Sequence, residues 1–200
     1  MEFQHVNVKL FVKKAEEVDL EGLIPVFHGW IQNRARGELL LDVADYRHVP
    51  SGPGIILIGH EGNYSLDNTG GRLGVRYNRK AVLEGTNQDR LAQATQAALA
   101  TCRRLEAEPG LDGGIQFNGC EMEVFINDRL LAPNTKETRA AADLEFHALF
   151  SMLFGDIKYS MTYPQDPRSL FGVHVRTPQA FDTMALLNHL ISMAPVSHLS

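Results

Sequence analysis

The chain is short of cysteine, positive charge and long apolar runs, and each shortage closes off a class of protein. Two cysteines in 200 residues, Cys102 and Cys120, cannot build a disulfide framework and lack the C-x-x-C spacing of a metal or redox site. They read as free thiols in a reducing compartment. Nineteen Lys and Arg against 24 Asp and Glu leave a formal net charge of −5, which is the wrong sign for a general nucleic-acid binder. No apolar run approaches the roughly 18 residues of a membrane-spanning helix. Residues Met1-Glu2-Phe3-Gln4-His5 have neither the basic nor the apolar stretch of a secretory signal, so a cytoplasmic location is expected.

What the chain does have is an ordinary folded composition and a degenerate internal correspondence. A hydrophobic content of 44% over this length suits a single domain with one sizeable core. In the first half, the extended run 6–12 leads through a helical stretch with Phe27-His28 to the run 38–42, the turn Tyr46-Arg47-His48-Val49-Pro50 and the run 55–58. In the second half, run 122–126 leads through Phe146-His147 to 157–161, the turn Tyr163-Pro164-Gln165-Asp166-Pro167 and 170–175. The expected architecture is therefore α+β. Two degenerate β-α-β-β repeats, near 5–80 and 115–177, would share a mixed, largely antiparallel sheet with helices packed on one face.

Local signals fill in the rest. Asp19 is a candidate helix cap ahead of Leu23, Phe27 and Ile31, although Pro25 interrupts that helix's donors. Asn87 opens a connecting helix over 87–108 with Leu91, Ala94, Ala98, Cys102 and Leu105 on one stripe. The Gly-rich stretch 109–114 is the candidate joint. Asn118-Gly119 is a two-residue hairpin signal. Asn134 with Glu137 fits a capping box, and Gly155 fits a helix stop. Thr177-Pro178 starts a final helix over 178–193, whose broad apolar surface includes Met184, Leu187, Leu190 and Ile191. It would be covered by the protein's own sheet or by a second subunit, as in a homodimer.

The polar residues of the first turn, Asp42, Asp45, His48, His60 and Glu61, have few charged counterparts in the second half. Three readings fit them. Grouped and partly buried, they could run acid–base chemistry, with His60 or His48 as base and Asp45 or Glu61 orienting it. They could hold a divalent metal, although no H-E-x-x-H spacing occurs. Or they are turn and strand-end residues. Antiparallel pairing of the two strands would separate them, whereas crossed placement would gather them. Arg72, Arg76 and Lys80 alternate onto one strand face, and Arg129 stands among turn residues; Arg72, Arg76 and Arg129 are candidate anion contacts for a small-molecule ligand.

Residues 42–46, 59–67 and the run Asn127-Asp128-Arg129-Leu130-Leu131-Ala132-Pro133-Asn134-Thr135 resemble an uncharacterised bacterial family. The resemblance implies a bacterial cytoplasmic setting and no particular activity. Two functions follow from the residues: a small-molecule binder or enzyme with an acid–base pocket in the first repeat, or a non-catalytic interaction module using the last helix. Neither involves a membrane.

Overall fold

The computed structural model describes residues 1–33, 37–111 and 114–193. Its strands are β1 (Val6–Val12), β2 (Leu40–Tyr46), β3 (Gly54–Gly59), β4 (Gly62–Asp67), β5 (Gly74–Arg79), β6 (Phe117–Ile126), β7 (Ser160–Thr162) and β8 (Phe171–Arg176). Its helices are α1 (Leu23–Gln32), α2 (Asn87–Glu106), α3 (Lys136–Phe154) and α4 (Thr183–Met193). The strands form one sheet in the order β2-β3-β4-β5-β1-β6-β8-β7. All seven pairings are antiparallel, so the expected parallel component of a mixed sheet is absent among the described residues. The reason is the path of the chain. In each half a helix carries it from a central strand (β1 or β6) to an edge, and a meander of tight turns brings it back.

The two halves share that path but not its size. The first meander has four strands and the second has two, so β8 lies beside β6 where β5 lies beside β1. The structure thus shows a common order of connections, while a doubled ancestor stays an inference from the sequence.

Strand alternation splits the sheet into two unlike faces. One cross-strand row reads Ile55, Leu66, Val75, Leu10, Met122, Val175, Met161; all but half-buried Met161 are buried. Burying each such side chain contributes about 1.5–3 kcal/mol, and the helices supply the cover. α1 lies on β2 and β3, α2 on β1 and β5, and α4 on β6, with α3 packed against α2 and α4. Phe27 and Trp30 of α1 and Phe146, Phe150 and Phe154 of α3 join the same core as the sheet row.

Helix ends refine several sequence expectations. Pro25 is the third residue of α1, inside the first turn, where its missing N–H has no intrahelical acceptor to lose. Asp19 does not cap α1; its carboxylate accepts from the Glu21 N–H at 2.9 Å. Thr86 caps α2 in a reciprocal box with Asp89, while the neighbouring Asn87 accepts the Phe3 N–H at 2.8 Å. Thr135 caps α3, and the Asn134 side chain instead ties down the carbonyls of Pro164 and Asp166. Gly155 ends α3 with a positive φ of 58°, as expected.

Two further expectations fail. Asn118-Gly119 is not a hairpin turn, because β6 continues through it, with a shift of register against β1. Gly119 is there for close approach: a Cβ at that position would lie 1.9 Å from the Phe181 carbonyl oxygen. The last helix starts at Thr183, not at Thr177-Pro178: the Asp182 carboxylate accepts the Met184 and Ala185 N–H groups, whereas the Thr177 hydroxyl donates to the Gln179 carbonyl and its N–H to the Cys120 carbonyl at 2.7 Å. Within α4, Leu186 and Leu190 are buried against the chain's own α2 and α3. Met184 and Ile191 of the same helix stay exposed, so the chain covers that apolar face only in part. Of the expected joint 109–114, residues 112 and 113 lie outside the described residues. Both cysteines are free thiols. Among the described residues no helix is long and apolar enough to cross a membrane.

Candidate functional site

The expected acid–base group in the first half does not assemble. β2 and β3 pair antiparallel, with Asp45 opposite Ile55 and Leu40 opposite Gly59. Asp45 and His48 therefore sit at one end of the hairpin, and His60 and Glu61 at the other. Asp42 and Asp45, three residues apart, project to opposite faces. Each is occupied separately. Arg47 binds the Asp45 carboxylate through its Nε and a terminal nitrogen. With its backbone N–H it holds that carboxyl down at about 2, the opposite direction from a neutral-pH acid. His48 stacks on Tyr46, Asp42 accepts from the Val43 N–H, and Glu61 pairs with Arg79 at 2.7 Å. The turn carrying His60 is fixed from outside. Glu38 accepts the N–H groups of Glu61 and Gly62 and the Tyr64 hydroxyl. Among the described residues no group of three His, Cys, Asp or Glu side chains could hold a metal ion.

Buried and half-buried charged groups converge instead on the sheet face that carries no helix. A cross-strand row there runs Ala44, Ile56, Ser65, Arg76, Lys9, Glu123, His174, Thr162. Its neighbour runs Asp42, Ile58, Asn63, Asn78, Asn7, Phe125, Gly172. Lys9 and Asp67 form a buried ion pair at 2.6 Å, with exposures of 3% and 0%. Long side chains lying across the strands roof it over. The Arg76 Nε donates to the Asn7 side-chain oxygen at 3.2 Å, and the Arg76 guanidinium stacks on Phe125 with its carbon 4.7 Å from the ring centre. Asp67 also accepts from the Thr69 N–H and hydroxyl.

Beside this pair, Glu121 gathers two guanidinium groups and an imidazole. Arg72, Arg176 and His174 all reach its buried carboxylate, with His174 Nε2 at 3.0 Å. Burial alone would push Glu121 up, but the bonds from Arg176 and His174 and the nearby charge of Arg72 outweigh it and hold the group below the ordinary glutamate range. An ionised Glu121 can only accept, so His174 donates to it through Nε2.

Two aromatic rings bracket the polar centre, each facing a glycine on the adjacent strand: Phe11 opposite Gly74 and Phe125 opposite Gly172. A Cβ at Gly172 would lie 2.4 Å from the Phe125 Cβ. The glycine lets the ring lie down and leaves open space beyond it. That space is a cleft of about 530 Å³, bounded by Arg76, Glu123, Phe125, Leu170 and His174 together with the turn around Pro164. Its size falls within the roughly 300–1,000 Å³ of small-molecule sites. A second cleft of about 430 Å³, near Lys13, Arg103 and Asp182, borders Gly114, next to residues outside the described ones.

Of the anion contacts expected from sequence, Arg76 lines the cleft and Arg72 stands on the same face, bound to Glu121. Lys80 leaves that face to donate to the Gly59 carbonyl. Arg129 is exposed and makes no ion pair among the described residues. The acid that feels its charge, Asp166, belongs to the second half, not the first, and is held low mainly by Arg168. Sequence reasoning missed Lys9, Asp67, Glu121, Glu123, Phe125 and His174. The signal was present as alternation in Val8-Lys9-Leu10, Met122-Glu123-Val124 and Val173-His174-Val175. Their polar members read as solvent-facing positions, and only the register shows that they converge.

Compared with protein-family models, curated proteins and solved structures, the chain matches none.

Proposed function

We propose that this protein binds a small charged organic molecule on the helix-free face of its sheet, in the cleft between Arg76 and His174. One observation carries the reading. Charged and polar side chains from β5, β6 and β8, strands of both halves, line a cleft of small-molecule size together with the ring of Phe125. An apolar surface with a few convergent polar groups is the usual make-up of such a site. The acid–base pocket expected in the first half is replaced by this one, which belongs to both halves. We take the setting to be a bacterial cytoplasm on the sequence resemblance alone.

The test is a thermal-shift survey with small amines, carboxylates and inorganic phosphate. Compounds that raise the melting temperature of the wild type should lose their effect in Arg76→Gln and Phe125→Ser, provided the variants still melt cooperatively. They should keep it in Asp45→Asn/His60→Gln. The reverse pattern would put the site back at the β2–β3 hairpin.

A further inference from the structure

Charge balance across the cleft narrows the ligand class. Asp67 serves two cations, Lys9 at 2.6 Å and Arg76 at 3.5 Å, so this trio carries one surplus positive charge. Lys9 is 3% exposed and Arg76 is 21% exposed, which puts the accessible part of the surplus on Arg76. On the other side of β1, Glu123 faces the same cleft, and among the described residues no donor reaches its carboxylate. A half-buried carboxylate without a partner costs stability. Arg76 does not relieve it: its guanidinium reaches across β1 onto the Phe125 ring, is held by Asn7 and Asp67, and makes no ion pair with Glu123. The strands bearing the two groups flank β1, so their backbones stand about 10 Å apart. A cation held in place and an unpaired carboxylate therefore line the same cleft beside an aromatic ring.

We infer that the ligand is a small zwitterion, with an acid group that meets Arg76, an ammonium that meets Glu123, and an apolar body against Leu170 and the edge of the Phe125 side chain. This rests on the binding reading above and goes further by assigning a role to Glu123. An anion alone would leave Glu123 unpaired, and an amine alone would leave Arg76 with its surplus. Only a molecule carrying both charges satisfies both walls.

Calorimetric titration tests it with unbranched amino acids of two to six carbons bearing terminal amine and acid groups. The alkylamine and the alkylcarboxylate of equal length serve as controls. At least one zwitterion should bind, with either singly charged control about tenfold weaker or worse. In Glu123→Gln the zwitterion should lose its advantage over the carboxylate. The melting temperature of that variant should stay the same or rise, because the substitution removes an unpaired charge. A structural role for Glu123 would lower it. Equal binding of a control, or an undiminished advantage in Glu123→Gln, would overturn the zwitterion assignment while leaving the site standing. Failure of zwitterions, amines and carboxylates alike to perturb this face would overturn both readings.

Discussion

At the residue scale, the feature that organises this face is a single buried charge pair. Lys9 and Asp67 are both sequestered from water, and taking one away strands the other in a low-dielectric setting. Lys9→Met should therefore cost about 3–5 kcal/mol in denaturant unfolding, with the Asp67 carboxylate left to Thr69 and Arg76. The exposed Lys14–Glu17 pair is a fair contrast, and Lys14→Ala should leave the unfolding midpoint unmoved. Glu121 sets an acid limit. Its carboxyl is lowered in the folded state, so its contribution is fully present above the ordinary glutamate range. That contribution is lost as pH falls through the depressed folded value. Stability should drop on acidification below about pH 4, and Glu121→Gln should flatten that part of the profile. An unchanged profile in the variant would mean that Arg72, Arg176 and His174 do not hold the carboxylate as described.

At the scale of elements, local grammar carried the sequence a long way. Helix α3 and its stop at Gly155, the strands of the first meander and the connecting helix α2 are legible from periodicity and turn residues. What failed were signals with two meanings. Asn118-Gly119 has the composition of a hairpin turn, yet the glycine answers to the Phe181 backbone packed against it. Thr177-Pro178 has the composition of a helix start, yet the Thr177 N–H belongs to the edge of β6. Long-range partners decided both, and local pattern does not contain them. Gly172 is another such position. Gly172→Val would drive its side chain into Phe125 and the Val124 carbonyl, so overpacking should cost about 1–3 kcal/mol and block the cleft. Loss of ligand-induced stabilisation alongside a lowered unfolding midpoint would show both effects. A variant as stable as wild type would mean that the Phe125 ring is free to move aside.

At the scale of the whole molecule, one sheet is asked to do two things. Its helix-covered face buries an apolar row from Ile55 to Val175, and that face holds the fold together. Its other face is released from packing and can carry Arg76, Lys9, Glu123 and His174 in one line. Composition announced such a molecule only in outline, because a charged residue in an alternating strand normally faces water. The candidate site was read first at the most polar segment, 42–61. Polarity there belongs to an exposed hairpin in which Asp45 and Glu61 are already paired with Arg47 and Arg79. Chain topology made the difference: antiparallel return in both halves places β1 and β6 side by side and so joins two separate charge patterns.

The most direct measurement is a two-dimensional amide NMR titration with the tightest-binding amino acid of the calorimetric series. Shifts are expected to concentrate on the cross-strand line through Ser65, Arg76, Lys9, Glu123 and His174 and on the turn near Pro164. Shifts gathered at residues 45–48 and 60–61, or scattered over the helices, would contradict the account.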